Sequence, residues 1–251
     1  MASLRARGLG PFPEVGLGAD LAEMIIAALA GERLRSGQLV AIAHKVVSKA
    51  EGAVVALADV NPGDTAIEIA SAQGRDPRAV QVVLDESAAV LRAERGVLIC
   101  RTRHGFVCAN AGVDASNAAA PDTLICLPRD PDGSARAIRA RLHELTGATV
   151  AVLISDSFGR AWRHGQQDLA IGLAGMQPLD DWRGRTDAAG MELRATWLAV
   201  ADAAASSADL VRAKDSREPV VILDGLERFV TVADGAGAAA LLRPIEEDLF
   251  R

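Results

Sequence analysis

The chain has 251 residues, half of them hydrophobic, with 33 acids, 27 bases and a net charge of −6, enough apolar material to bury a large core as one domain or as two lobes. The charges are scattered, with no basic block to track a phosphate backbone, and no apolar run approaches the ~20 residues of a membrane span, so nucleic-acid binding and membrane insertion are poor readings. The N-terminal MASLRARGLGPFP carries arginines without an apolar signal core, and the expectation is a cytoplasmic protein.

In chain order, apolar periodicity predicts an amphipathic helix over 20–30, a buried strand over 39–43, a strand over 53–57 and a helix opened by Asn61-Pro62. A helix over 77–92 then precedes strands over 97–101 and 123–127. A helix over 134–145, strands over 150–154 and 169–174, a helix over 192–212 and a strand over 220–223 complete the chain. The order is not a strict strand–helix alternation, which predicts an α+β or mixed α/β fold rather than a Rossmann or P-loop fold. Cys100, Cys108 and Cys126 form no CxxC pair and lie in apolar runs, as small core residues do.

Gly235, Gly237 and Ala240 spell the dinucleotide pattern GxGxxA, but no ribose-reading acid follows at the required spacing of about 20 residues. The stretch reads instead as a flexible or helix-capping one. No Walker A sequence is present.

Three polar segments each follow an apolar one. In ISDSFGRAWRHGQ, read as a loop after the strand at 150–154, Asp156 and Ser157 offer hard oxygens to Mg²⁺ or Mn²⁺, while Arg160 and Arg163 offer forks to phosphate or carboxylate. A capped turn with two solvated arginines also explains this segment. In HGFVCANAGVDASN, Asp114 adds a second carboxylate among short residues that let a ligand approach, and a turn rich in Asx residues fits as well. In AHKVVSKAEG, Lys45 and Lys49 follow a buried strand, as phosphate ligands or as solvated charge. Two acids in separate segments, one beside an arginine pair, suit a cation that neutralises phosphate oxygens during in-line transfer.

Together with LPRDPDGSA and AIGLAGMQPLDDWRGRTDAAGMEL, these phrases resemble, in order and over nearly the whole chain, the coenzyme F420-0:gamma-glutamyl ligase family. The resemblance implies one catalytic domain over 1–251 in a homodimer. It also implies a GTP-dependent ligase that joins L-glutamate to coenzyme F420-0, and a further gamma-linked glutamate to F420-1, through an acyl phosphate, releasing GDP and phosphate. It implies Mg²⁺ or Mn²⁺, with K⁺ as a further cation, held by Asp114, Asp156 and Ser157, the last standing for a threonine. Contacts to the guanine nucleotide are implied for Phe12, Pro13, Glu14, Val15, His44, Lys45, Lys49 and Asn117, and for the segment Arg212, Ala213, Lys214. Ala213 replaces the family's usual glycine. Lys214 stands where some members place an oxygen ligand, and a cation cannot ligate a cation. Arg160 is assigned with Asp114 and Asp156 to catalysis, facing the acceptor carboxylate. His104 and His164 are candidates to meet a substrate carboxylate or take the amine's proton. A ligase for another acceptor or amino acid, or a non-catalytic nucleotide-binding homologue, are the alternatives, the latter disfavoured by retention of both acids.

Overall fold

The computed structural model describes residues 3–118 and 120–248. Its elements run β1 (Arg5–Leu9), α1 (Leu21–Ala28), β2 (Leu39–Ala43), α2 (His44–Glu51), β3 (Val54–Ala56), α3 (Asp64–Gln73), α4 (Pro77–Asp85), β4 (Ser87–Glu94), β5 (Val97–Thr102) and β6 (Val107–Ala109). They continue with β7 (Thr123–Ile125), α5 (Pro131–Thr146), β8 (Ala151–Arg160), β9 (Arg163–Ala174), β10 (Asp180–Asp181), β11 (Trp197–Leu198), α6 (Val200–Asp209) and β12 (Val220–Asp224). The expected α+β class, mixed in its sheets, is borne out.

The main sheet has the order β1-β12-β2-β8-β9. Its centre is a parallel pair, β2 and β8, in register from Leu39 opposite Ala151 to Ala43 opposite Ser155; the outer pairings are antiparallel. A strand covered on both faces must be apolar at every position, which LVAIA satisfies. Val40 and Ile42 turn to one face and pack in a cluster with Ile25 of α1, Val47 of α2 and Leu142 of α5. Leu39 and Ala41 turn to the other and meet Val200, Ala204, Ala205 and Ala208 of α6. This period-2 division makes three layers, and each large aliphatic side chain so buried stabilises them by roughly 1.5–3 kcal/mol. A smaller region carries α3, α4 and the β4-β5-β6 sheet around Ala66, Ala70, Val80, Val83, Leu98 and Cys100.

Helix starts follow local chemistry. Asp20 accepts from the Glu23 amide at 3.0 Å, Asp76 from Arg78 at 2.8 Å, and Asp130 from Gly133 at 2.9 Å; Pro77 and Pro131 supply the first helical residue of α4 and α5. The helix expected over 77–92 ends at Asp85, and 87–94 is β4, antiparallel to β5. SAAVLRAE is rich in helix formers, and pairing with β5 overrides that propensity. The helix expected over 192–212 begins only at Val200. Ahead of it, Trp197 and Leu198 pair with Asp181 and Asp180. The segment read as a loop after residue 154 is the outer half of a long β8–β9 hairpin, closed where Arg160 faces Arg163; its outermost residues, 159–166, are exposed. All three cysteines are buried and unpaired with one another. In the GxGxxA stretch Gly237, at φ +75°, caps a short 3-10 helix over Ala238–Leu241 and lies where a Cβ would strike Asp132 of α5. Among the described residues no helix is long and apolar enough to cross a membrane.

Gly172 in β9 lies against the first turn of α5, where a Cβ would meet the Pro131 carbonyl oxygen at 2.4 Å. Because backbone rather than a flexible side chain blocks it, Gly172→Ala is expected to cost about 2 kcal/mol or more. Urea denaturation should show a lower midpoint at unchanged slope; an unchanged midpoint would mean that β9 and α5 separate freely.

Candidate active site

At the carboxyl end of the parallel pair, β2 passes into α2 without an intervening loop, so His44 and Lys45 are the first helical residues. This is where ligands collect on parallel strands, because side chains leave the packed layer together. The β2–β8 pairing stops at Ala43 opposite Ser155, and β8 runs on with a free edge on that side. His44 is buried, and its Nε2 lies 3.3 Å from Asp156 Oδ1, although without hydrogen-bond geometry; Nδ1 is 3.2 Å from Ser48 Oγ. Lys45 Nζ donates to Asp114 Oδ2 at 2.6 Å. Asp114 is held in place by backbone bonds in both directions with Ile125, at 3.0 and 2.8 Å, and accepts from the amide and hydroxyl of Ser116, each at 2.8 Å. Two adjacent residues of one helix therefore stand against the two predicted acids, Lys45 bonded to Asp114 and His44 in close approach to Asp156.

Burial alone would raise the Asp114 carboxyl; the hydrogen bonds from Lys45 and Ser116 outweigh it, and the net shift is downward. Cys108 is pushed up to about 12, by burial first and then by the charge of Asp156, which makes it an inert thiol beside the site.

The serines flanking Asp156 turn to a different partner, one with no place in the expected site. Asp168 of β9, opposite Ser157 in the hairpin register, is almost wholly buried. It accepts from Ser157 Oγ at 2.6 Å, from Ser155 Oγ at 2.8 Å, and from the Arg212 guanidinium. Arg212 also donates to Ser155 Oγ at 2.8 Å and to the Pro219 carbonyl at 3.2 Å. Burial pulls the guanidinium below its ordinary value, against the charges of Asp168 and Asp209. Losing one partner of such a buried pair would strand the other at a cost of about 3–5 kcal/mol. Lys214 Nζ completes the group, 3.0 Å from Ser157 Oγ, 2.9 Å from Asp209 Oδ1 and 3.9 Å from Asp168 Oδ1. Asp168 looks in the sequence like a polar residue heading an apolar strand; only the hairpin register sets it against Ser157.

The remaining predicted residues divide. Phe12 and Val15 are buried in the main core, Pro13 and Glu14 are exposed, and Glu14 Oε1 accepts from Lys49 Nζ at 2.5 Å. The Phe12 amide donates to Arg217 at 2.8 Å, bringing this stretch beside the segment that carries Arg212, Ala213 and Lys214. Ala213 is exposed and does not take a positive φ, so a side chain is tolerated there. Asn117 is exposed, at φ +59°. Arg160 stands apart at the end of the hairpin arm, donating to the His164 carbonyl at 2.6 Å. Its backbone is four residues, or about 13 Å of strand, from Asp156. His104 stacks on Phe106 and meets the Arg129 carbonyl at 3.1 Å; His164 is exposed on the arm.

Hard oxygen donors next to basic side chains suit Mg²⁺ or Mn²⁺. Among the described residues no three acids, histidines or cysteines converge on one point, which does not fit an all-protein cage. His44 Nε2 is buried beside Asp156 without a hydrogen-bond partner, while Lys45 sits on Asp114 and Lys214 on the Ser157 hydroxyl. The donor set fits a cation shared between these side chains and the oxygens of a bound phosphate.

A sequence model of the family described as F420-0:Gamma-glutamyl ligase matches residues 10–225. The chain is 44% identical over 248 residues to the coenzyme F420:L-glutamate ligase of Methanothermobacter thermautotrophicus, covering 97% of each protein. It is 43% identical to that of Methanopyrus kandleri, covering all of both, and 42% identical over 219 residues to that of Methanocaldococcus jannaschii, covering 87% of this chain and 86% of the relative.

The lowered Asp114 carboxyl carries a pH signature. A group depressed on folding contributes stability above its unfolded value, about pH 4, and loses it as pH falls through the lower folded value. Unfolding midpoints followed from pH 6 downward should drop less steeply below about pH 4 in Asp114→Asn than in the parent chain. Parallel acid limbs would show that the Lys45 contact adds nothing to folding.

Proposed function

The chain belongs to the F420-0:gamma-glutamyl ligase family, and from that premise we propose that it joins L-glutamate by an amide bond to coenzyme F420-0, and then to F420-1, at the expense of GTP. The observation that supports this most directly is the pair of carboxylates, Asp114 and Asp156, standing against adjacent residues of α2 where the parallel strands end. A carboxylate and an amine do not condense in water. In the proposed sequence an acceptor carboxylate oxygen attacks the γ-phosphorus, the bond to the β–γ bridging oxygen breaks, and GDP leaves. The glutamate amine then attacks the acyl carbon, phosphate departs with the bonding pair, and the amine's proton passes to solvent or phosphate. The difficulty lies in bringing a triphosphate and a carboxylate together, so the protein's task is charge and position rather than a covalent nucleophile.

Lys45, Lys49 and Lys214 supply positive charge to the nucleotide, with the segment Arg212, Ala213, Lys214 bordering it together with Phe12 to Val15 and Asn117. Arg160, on the hairpin arm, is the group proposed to fork the acceptor's carboxylate or phosphodiester. A bound Mg²⁺ or Mn²⁺ would neutralise oxygens of both reacting anions, held by Asp114, Asp156 and Ser157 at the free edge of β8, with K⁺ proposed as the further cation. To turn to phosphate, Lys45 must release Asp114, and Lys214 must release the Asp209 carboxylate and the Ser157 hydroxyl. We also propose a homodimer. Exposed Leu4, Trp197 and Leu198 flank a surface groove of about 420 Å³ that a second copy could cover.

Purified protein given F420-0, glutamate, Mn²⁺ and either GTP or ATP, with products read by mass, tests the reaction. The expected result is an added glutamate with GTP and little with ATP. Asp156→Asn should fold yet lose most turnover, about a hundredfold or more. Comparable rates with both nucleotides, or a fully active folded Asp156→Asn, would defeat this reading. Light scattering should give twice the 26.1 kDa chain mass, and a monomer stable to concentration would remove the dimer.

A further inference from the structure

The buried carboxylate of Asp168 is not among the groups that the proposed reaction needs, yet it contacts more of the site than any of them. A carboxylate has no proton to give, so both serine hydroxyls that meet it must point their hydrogens inward. For Ser155 this ends the matter, because its oxygen is occupied by Arg212 at 2.8 Å. For Ser157 it has an outward consequence. With the proton committed to Asp168 Oδ1 at 2.6 Å, the lone pairs of Ser157 Oγ face away from Asp168, and an ammonium group, Lys214 Nζ, sits on one of them at 3.0 Å. A hydroxyl free to rotate must be ordered before it presents an electron pair to a cation; this one is already turned that way.

We propose that Asp168 is a positioning residue that fixes Ser157 as an oxygen donor to a cation, with Arg212 holding the carboxylate in the orientation this requires. The Lys214 ammonium marks the direction in which the donor points. The proposal rests on the reading of Ser157 as an oxygen ligand to the divalent ion, and it assigns to Asp168 the partner that keeps a ligand's lone pairs turned toward its metal.

The test uses the full-length protein and Mn²⁺ alone, with free Mn²⁺ followed by its electron paramagnetic resonance signal and folding checked by circular dichroism. Ser157→Ala and Asp168→Asn should each weaken Mn²⁺ binding about tenfold or more. Asp168→Asn in the Ser157→Ala background should weaken it no further, since Asp168 acts through that hydroxyl. Ser155→Ala, which removes the other serine on the same carboxylate, should bind Mn²⁺ as the parent does. If Asp168→Asn alone fails to fold, the charge-balanced pair Asp168→Asn with Arg212→Gln carries the same comparison. Parent-like Mn²⁺ affinity in a folded Asp168→Asn, additive losses in the double variant, or a loss in Ser155→Ala equal to that in Ser157→Ala would overturn the proposal while leaving Ser157 a ligand. Parent-like affinity in Ser157→Ala would overturn the underlying reading itself.

Discussion

The register of two parallel strands is the constraint from which the rest of the site follows. Because Ala43 and Ser155 are opposite one another when β2 turns into α2, the first helical side chains arrive beside the stretch of β8 that β2 no longer pairs. A one-residue slip would exchange the two faces of the strand, sending Val40 and Ile42 toward α6 and Leu39 and Ala41 toward α1. Burial on both faces therefore fixes, with the strength of the core, the distance between His44 and Asp156. The helix has no side-chain cap at Ala43, and its first two residues, His44 and Lys45, face carboxylates instead.

Every acid in the cluster has a basic neighbour: Asp114 has Lys45, Asp156 has His44, Asp168 has Arg212, and Asp209 has Lys214. These pairs differ in burial, and so in what they can do. Asp168 and Arg212 are enclosed and behave as part of the frame, since separating them would leave an unpaired charge in a medium that solvates it poorly. Lys214 and Asp114 are open to solvent, where an ion contact is weak and easily exchanged. The arrangement is a rigid pair behind a set of interchangeable ones.

Much of this was legible in the residues. LVAIA reads as a doubly buried strand because five apolar residues between polar neighbours, too few for a helix and with two of them β-branched, suit a strand covered on both faces, and the structure has it at 39–43. Asp114, Asp156 and the lysines stood out because charge follows apolar runs at each. What misled was the habit of equating strand with hydrophobicity: DSFGR and RHGQQ are strand because they pair with each other, a property of two segments rather than of either. The same blindness hid Asp168, whose meaning depends on facing Ser157, and made a helix of SAAVLRAE, whose partner strand lies beyond a tight turn. Local composition reports what a residue prefers; pairing decides what it gets.

The chain contains no tyrosine and only three tryptophans, and none of the three lies in the main core. Trp162 caps the hairpin arm, largely exposed, at φ +58°. Trp197 lies beneath the Arg183 guanidinium at 3.9 Å, and Trp182 near that of Arg185 at 5.0 Å. The packed sheet therefore contributes no tryptophan or tyrosine fluorescence, and all tryptophan emission comes from the arm and from the ribbon between β9 and α6. A spectral change on adding a ligand would report on those peripheral segments, while loss of the core would go unseen by the same light until they came apart as well.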